Sequence, residues 1–364
     1  MRAAVHAGAG EIRFEDRPTP AIGSGELLLR VRGCGLCGSD LAKLLGPAPR
    51  PAVLGHEVVG EVAAAGAGVA FRAGERVVTA HHVPCAACHY CRRGSPSMCR
   101  EFKASNLDPG GFAEYVRVPA ANARHATFRV PDGMPDAVAA FTEPLGCCVR
   151  AVRRAGPEAG DTVVVAGLGA MGCLLVQLVR RRGARVIGID PLPERRALGE
   201  RLGADAAIAP EALAPVLAEL SDGRGADLVL LTTGAPAVVR AALGWVRDGG
   251  AVHLFVGEGE GPLPVGDLYR RELTLTGTYS SSPADLAEAF ELIRTGAVQV
   301  APLCSHRLPL DRLAEAVELA LRHRALKVFL EIGPTAGPEG APRSGRAART
   351  VPSERDASRP RPAE

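Results

Sequence analysis

Thr162-Val163-Val164-Val165-Ala166, then Gly167-Leu168-Gly169-Ala170-Met171-Gly172, then apolar residues at helical spacing over 173–182, then Arg185-Val186-Ile187-Gly188-Ile189-Asp190: this stretch decides the fold. Its opening run is apolar and β-branched, the pattern of a strand buried on both faces. Strand, G-x-G-x-x-G, helix, strand and acid together make the dinucleotide-binding fingerprint. Gly167 permits the tight turn, Gly169 lets a pyrophosphate approach the backbone, and Gly172 lets helix and strand pack closely. The diphosphate is expected on the N–H groups at the helix N-terminus. The cofactor-binding set is therefore Gly167, Leu168, Gly169, Ala170, Met171 and Gly172, with Asp190 for the ribose hydroxyls and Arg195 close by.

Outward from this unit, further strand-like runs alternate with helical segments, as in a doubly wound parallel sheet. They are residues 226–231, 251–256 and 273–276, which places an α/β Rossmann domain at 149–278. Residues 1–148 hold short strand-like runs punctuated by Gly and Pro, with little helical periodicity, and read as a β-rich domain. Residues 279–333 carry two amphipathic helices, 283–295 and 310–323, and a last strand at 327–332. Residues 334–364 are Pro, Gly, Ala, Arg and Ser with almost no large apolar side chain, the composition of a disordered tail.

A chain of 364 residues accommodates two domains, and 47% hydrophobic with 23% charged residues is ordinary globular composition. A net charge of +3 argues for neither nucleic acid nor an acidic membrane surface. No apolar run reaches the ~18 residues of a membrane span, and Met1-Arg2-Ala3-Ala4-Val5-His6 lacks a signal-peptide core, so a cytoplasmic location is expected. Ten cysteines in a reducing compartment point to thiols and metal.

Cys85, Cys88, Cys91 and Cys99 give C-x2-C-x2-C-x7-C, a spacing suited to a closed, tetrahedral structural zinc site; an iron–sulfur cluster is the alternative. A second set is dispersed. Cys37-Gly38-Ser39-Asp40 offers a thiolate, a hydroxyl and an acid, and Gly55-His56-Glu57 an imidazole beside a carboxylate. Glu143-Pro144 adds another carboxylate or, alternatively, merely caps a chain turn. Cys34 reads as a packed thiol.

These motifs, with the Gly55-His56-Glu57-x2-Gly60-x5-Gly66 segment and Gly110-Gly111-Phe112-Ala113-Glu114-Tyr115, resemble the zinc-dependent medium-chain alcohol dehydrogenases over residues 2–332. The resemblance implies a β-rich GroES-like catalytic domain, completed by residues 279–333, beside the NAD domain. It implies two zinc ions per chain, NAD, a small-molecule alcohol as the partner, and a homo-oligomer (dimer or tetramer). Cys37 and His56 would be catalytic zinc ligands, with Glu57 or Glu143 completing the sphere as in the sorbitol, galactitol-phosphate and threonine dehydrogenase branch. Asp40 would orient His56, and Ser39 would take the substrate's proton. Several relatives carry a relay His where this chain has Ala42, so Lys43 or water would stand in. Position suggests Phe112, Lys43 and Tyr279 for the substrate pocket.

The favoured expectation is thus a zinc- and NAD-dependent oxidation of a secondary alcohol, a polyol or sugar alcohol, with threonine-like amino alcohols as the alternative substrates. A zinc-free alkene reductase would lack both cysteine sets. A non-catalytic binding protein built on the four-cysteine lobe is the rival from a different class.

Overall fold

The computed structural model describes residues 1–8, 10–46, 51–256, 262–333 and 349–350. The chain forms two compact units, one of Met1–Glu143 with Val300–Glu364 and one of Pro144–Gln299.

In the second unit six parallel strands lie side by side in the order Ala206–Ile208, Arg185–Ile189, Thr162–Ala166, Ala226–Leu231, Val246–Leu254, Thr274–Gly277. Numbered along the chain within the unit, that is the 3-2-1-4-5-6 order of a Rossmann sheet. Val164, Ile187, Val229 and Val252 in its inner strands are fully buried, which explains why these runs carry no polar alternation. The winding direction reverses between Thr162–Ala166 and Ala226–Leu231, the point where open α/β sheets take their ligands.

The expected return to the catalytic domain at residue 279 is corrected to residue 300. The helix Pro283–Arg294 packs on the helix Thr142–Ala155: a Cβ on Gly146 would lie 2.9 Å from the Leu286 side chain, and Arg153 pairs with Asp285. Gln177 then clamps the end of the segment, donating to the Gln299 carbonyl at 3.0 Å and accepting from its N–H at 2.7 Å. Thr142–Ala155 is itself a helix where the sequence showed only a β-rich region and a possible chain turn. Pro144 falls in its first turn, where a missing N–H costs nothing.

In the first unit a seven-stranded sheet is built around Leu27–Gly35, which pairs with Glu57–Ala65, Tyr115–Val118 and Lys327–Glu331. Glu57–Ala65 pairs in turn with Arg76–Thr79. Gly35 stands opposite both Glu57 and Phe329, so three segments distant in sequence meet at one end of the sheet. A second small sheet holds Arg2–Gly8 and Glu11–Asp16. Arg349–Thr350 adds a short antiparallel pairing to Glu11 and Ile12; the rest of 334–364, on which the expectation of a disordered tail falls, lies outside the described residues.

Candidate metal centres and dinucleotide loop

Cys37 precedes the helix Gly38–Leu45 as its N-cap, and Asp40 closes the cap by accepting from the Cys37 N–H at 3.1 Å. The same carboxylate, with no exposed surface, accepts from the Gly55 N–H and stands 3.3 Å from His56 Nδ1. Gly55 is required there: its φ is +89°, and a Cβ would strike Phe112 and the Cys34 thiol. Gly111 and Phe112 donate to the Gly55 and Leu54 carbonyls and brace the turn from below. Phe112 is therefore buried support and not a pocket wall, and Cys34 is a packed thiol whose pKa burial drives well up.

Burial opposes a charged His56, yet Asp40 and then Cys37 hold its pKa well above the ordinary value. Burial likewise works against the Asp40 carboxylate, and His56 outweighs it and keeps the pKa low. With Nδ1 given to Asp40, Nε2 is the nitrogen that faces a ligand. Cys37, His56 and Glu57 each offer a donor atom within 4.8 Å of the others. A thiolate, an imidazole and a carboxylate so close together fit zinc with a position left for a fourth ligand. Glu143, buried in the first turn of Thr142–Ala155, lies outside that trio but near enough to help raise the pKa of Lys327. Ser39 is exposed, two residues after Cys37, as are Ala42, Lys43 and Tyr279.

One contributor escaped the sequence reading. Lys327 Nζ donates to Glu57 Oε1 at 2.6 Å, both side chains being buried. Burial disfavours the ammonium, but Glu57 and then Cys37 raise its pKa above the usual lysine value. Only strand pairing brings residue 327 to residue 57. The available signal was scarcity: Lys43, Lys103 and Lys327 are the only lysines, and the last opens an apolar strand.

In the lobe, Cys88 and Cys91 thiols are 3.5 Å apart, as are Cys85 and Cys99, and all four sulfurs fall within 4.8 Å. Disulfide sulfurs sit at about 2.05 Å, whereas ~2.3 Å Zn–S bonds place tetrahedral sulfurs about 3.8 Å apart. The set fits one zinc ion. Burial opposes ionisation of Cys99, but backbone N–H groups of Cys85 and Phe102 bring its pKa down to about 6.

In the Rossmann unit Gly167 has φ +96°, and a Cβ on Gly172 would lie 1.8 Å from the Gly167 carbonyl oxygen. Gly169 caps the helix Ala170–Arg181 and has nothing closer to its missing Cβ than Arg195 Nη1 at 4.0 Å. The first intrahelical bond is from the Cys173 N–H to the Gly169 carbonyl, so the N–H groups before it have no partner within the helix. Leu168 is different: its side chain packs on Gly188 and Gly199, and its N–H goes to Asp190 Oδ2 at 2.8 Å, shaping the loop from beneath. Asp190 also accepts from the Leu192 N–H at 2.9 Å. Arg195 Nη1 is 3.7 Å from Asp190 Oδ2 with its side chain mostly buried, and Arg196 donates to the Asp190 and Pro191 carbonyls. Both arginines are thus held at the Asp190 turn.

Residues 23–132 match the family model of the alcohol dehydrogenase GroES-like domain, and residues 170–295 that of the zinc-binding dehydrogenases. A sorbitol dehydrogenase of Halalkalibacterium halodurans is 31% identical, covering 89% of this chain and 96% of its own. The chain belongs to the zinc-dependent medium-chain alcohol dehydrogenases. An L-threonine 3-dehydrogenase of Pectobacterium carotovorum is also 31% identical, over 86% of this chain and 94% of that one. Among solved structures of this family, the alcohol dehydrogenase from Thermus sp. ATN1 superposes with a TM-score of 0.80 at 30% identity, covering 92% of this chain and all of that one. The GroES-like and Rossmann domains and an alcohol-oxidising, NAD(P)-linked activity are thus those of the family. No helix among the described residues is long and apolar enough to cross a membrane.

Proposed function

We propose that this dehydrogenase oxidises a secondary hydroxyl of a polyol or sugar alcohol, with NAD preferred over NADP. The observation that carries the reading is the buried Asp40–His56 contact beside Cys37 and Glu57. It leaves one imidazole nitrogen, one thiolate and one carboxylate for a zinc ion. When bound, zinc supplies Lewis acidity toward the reacting hydroxyl, and the nicotinamide supplies the hydride acceptor.

The chain's own residues do the rest. Asp40 fixes the His56 tautomer and ring orientation. Lys327 donates to one oxygen of Glu57 and so fixes the orientation of that carboxylate. Glu143 adds a second carboxylate near the trio. Ser39 accepts the hydroxyl proton, and its exposure lets water carry the proton onward although Ala42 replaces the relay histidine. At the dinucleotide loop the N–H groups of Gly169, Ala170, Met171 and Gly172 receive the diphosphate. Asp190, anchored by two backbone N–H groups, accepts from the ribose hydroxyls and repels a 2′-phosphate.

The edge strand Thr274–Gly277 has one neighbour in its sheet, and Val265, Tyr269 and Tyr279 are exposed in the same unit, which supports a homo-oligomer. Ten unbridged cysteines support a reducing, cytoplasmic location. The reading is tested by metal analysis and NADH formation across polyols, sugar alcohols, mono-alcohols and L-threonine. Two zinc equivalents with turnover of polyols are expected. Two equivalents with L-threonine as much the better substrate would move the specificity to amino alcohols, and no turnover of any alcohol would overturn the reading.

A further inference from the structure

The end of the strand Arg76–Thr79 carries a group that the scheme above does not use. Val58 pairs with Thr79, and two positions further along these antiparallel strands His81 comes to face His56. The two rings lie 4.6 Å apart between centroids, tilted by 45°. On its other side His81 packs against His82 at 3.8 Å, and His82 is fixed by the Ser105 carbonyl at 2.6 Å and by Phe102. His81 is thus wedged between two held imidazoles.

Its hydrogen bonding is incomplete. Nδ1 is buried and meets no partner, while Nε2 is not among the buried, unpartnered atoms. An orphaned N–H in the interior is rarer than an orphaned lone pair, so Nδ1 holds the lone pair and Nε2 the N–H. His81 is half-buried, and among the described residues no acceptor meets that N–H. His81 also stands outside the trio of candidate ligands.

We propose that His81 determines specificity by donating Nε2–H to a second substrate oxygen, on the carbon next to the one oxidised, so that vicinal diols are selected over mono-alcohols. This rests on the reading that Cys37 and His56 hold the catalytic metal. The His81 ring packs against His56, a candidate ligand, at 4.6 Å between centroids, which sets it beside the place a metal-held oxygen would occupy.

The test uses the full-length, zinc-loaded enzyme with His81→Phe, which keeps the ring and its stacking but removes the donor, and with His81→Gln, which restores an N–H. Expected for His81→Phe is a loss of about 5–30-fold in kcat/KM for a vicinal diol, mostly through KM, as one lost hydrogen bond predicts. A mono-alcohol of similar size should change less than about 3-fold, within the few tenths of a kcal/mol of a replacement away from any contact. His81→Gln should recover part of the diol loss, and calorimetric diol binding to the zinc–NADH form should weaken in parallel. Equal losses on diol and mono-alcohol, loss of zinc, or no loss at all would each overturn the proposal. Failure of the unaltered enzyme to turn over any alcohol would instead overturn the metal-site reading beneath it.

Discussion

The Glu57–Lys327 pair shows what single residues contribute here. Removing one partner of a buried ion pair leaves an uncompensated charge, at about 3–5 kcal/mol. Lys327→Met is therefore expected to destabilise the metal-free protein by that order in chemical denaturation, and the zinc-loaded protein by less, since a cation held by Cys37, His56 and Glu57 would compensate the stranded carboxylate. An equal loss with and without zinc would place Glu57 away from the metal. Glu143 is a buried carboxylate in a helix's first turn, outside the trio but close to Lys327. Glu143→Ala should lower zinc content or turnover about 10–100-fold, the range for disturbed shells around a metal. Full zinc with full activity would reduce Glu143 to a helix-terminal residue.

The lobe of residues 85–99 holds one short helix, His89–Arg92, and a single 3-10 turn, Pro96–Met98, around its four cysteines. Structural zinc contributes ~10–16 kcal/mol in small zinc peptides. Cys88→Ser should halve the zinc content, lower the Tm and open the lobe to proteolysis; an unchanged Tm would show that the lobe folds without metal. The strand Val246–Leu254 holds His253, fully buried, with Nε2 2.9 Å from the Thr278 hydroxyl. Burial, then Arg154, brings its pKa down to about 4. The unfolded chain takes up a proton near pH 6.5 that the folded chain refuses until about pH 4. This contribution is absent above that window and destabilises increasingly as pH falls through it. His253→Phe should flatten the urea-midpoint profile between pH 7 and pH 5 relative to the unaltered protein, and parallel profiles would exclude the effect.

Among the described residues, four of the six exposed large apolar side chains lie in the Rossmann unit, where Val265, Tyr269 and Tyr279 are all more than half exposed. Scattered exposed residues are ordinary; several in the unit that also carries an edge strand are the basis for expecting assembly. Light scattering should give a multiple of the 37.8 kDa chain mass. Val265→Asp with Tyr269→Arg, both at surface positions that fold without strain, should shift it toward the monomer. A monomeric unaltered protein would contradict the oligomer.

The sequence by itself determined the Rossmann unit, because its fingerprint is local. Gly167, Gly169 and Gly172 answer to one turn of backbone, and fully buried parallel strands read as unbroken apolar runs. The four-cysteine lobe was legible for the same reason, its ligands lying within fifteen residues. Cys37, Asp40 and His56 were legible through motif, though their contact was not. What tertiary structure decided lies where distant segments pair. Lys327 meets Glu57 because Lys327–Glu331 and Glu57–Ala65 flank the same strand, and His81 faces His56 through antiparallel register. The domain return moved from residue 279 to residue 300 because helix packing at Gly146 and the Gln177–Gln299 clamp, not local periodicity, set where the chain leaves the unit. Local backbone demands are written in consecutive residues; register between remote strands is settled only when the sheet closes.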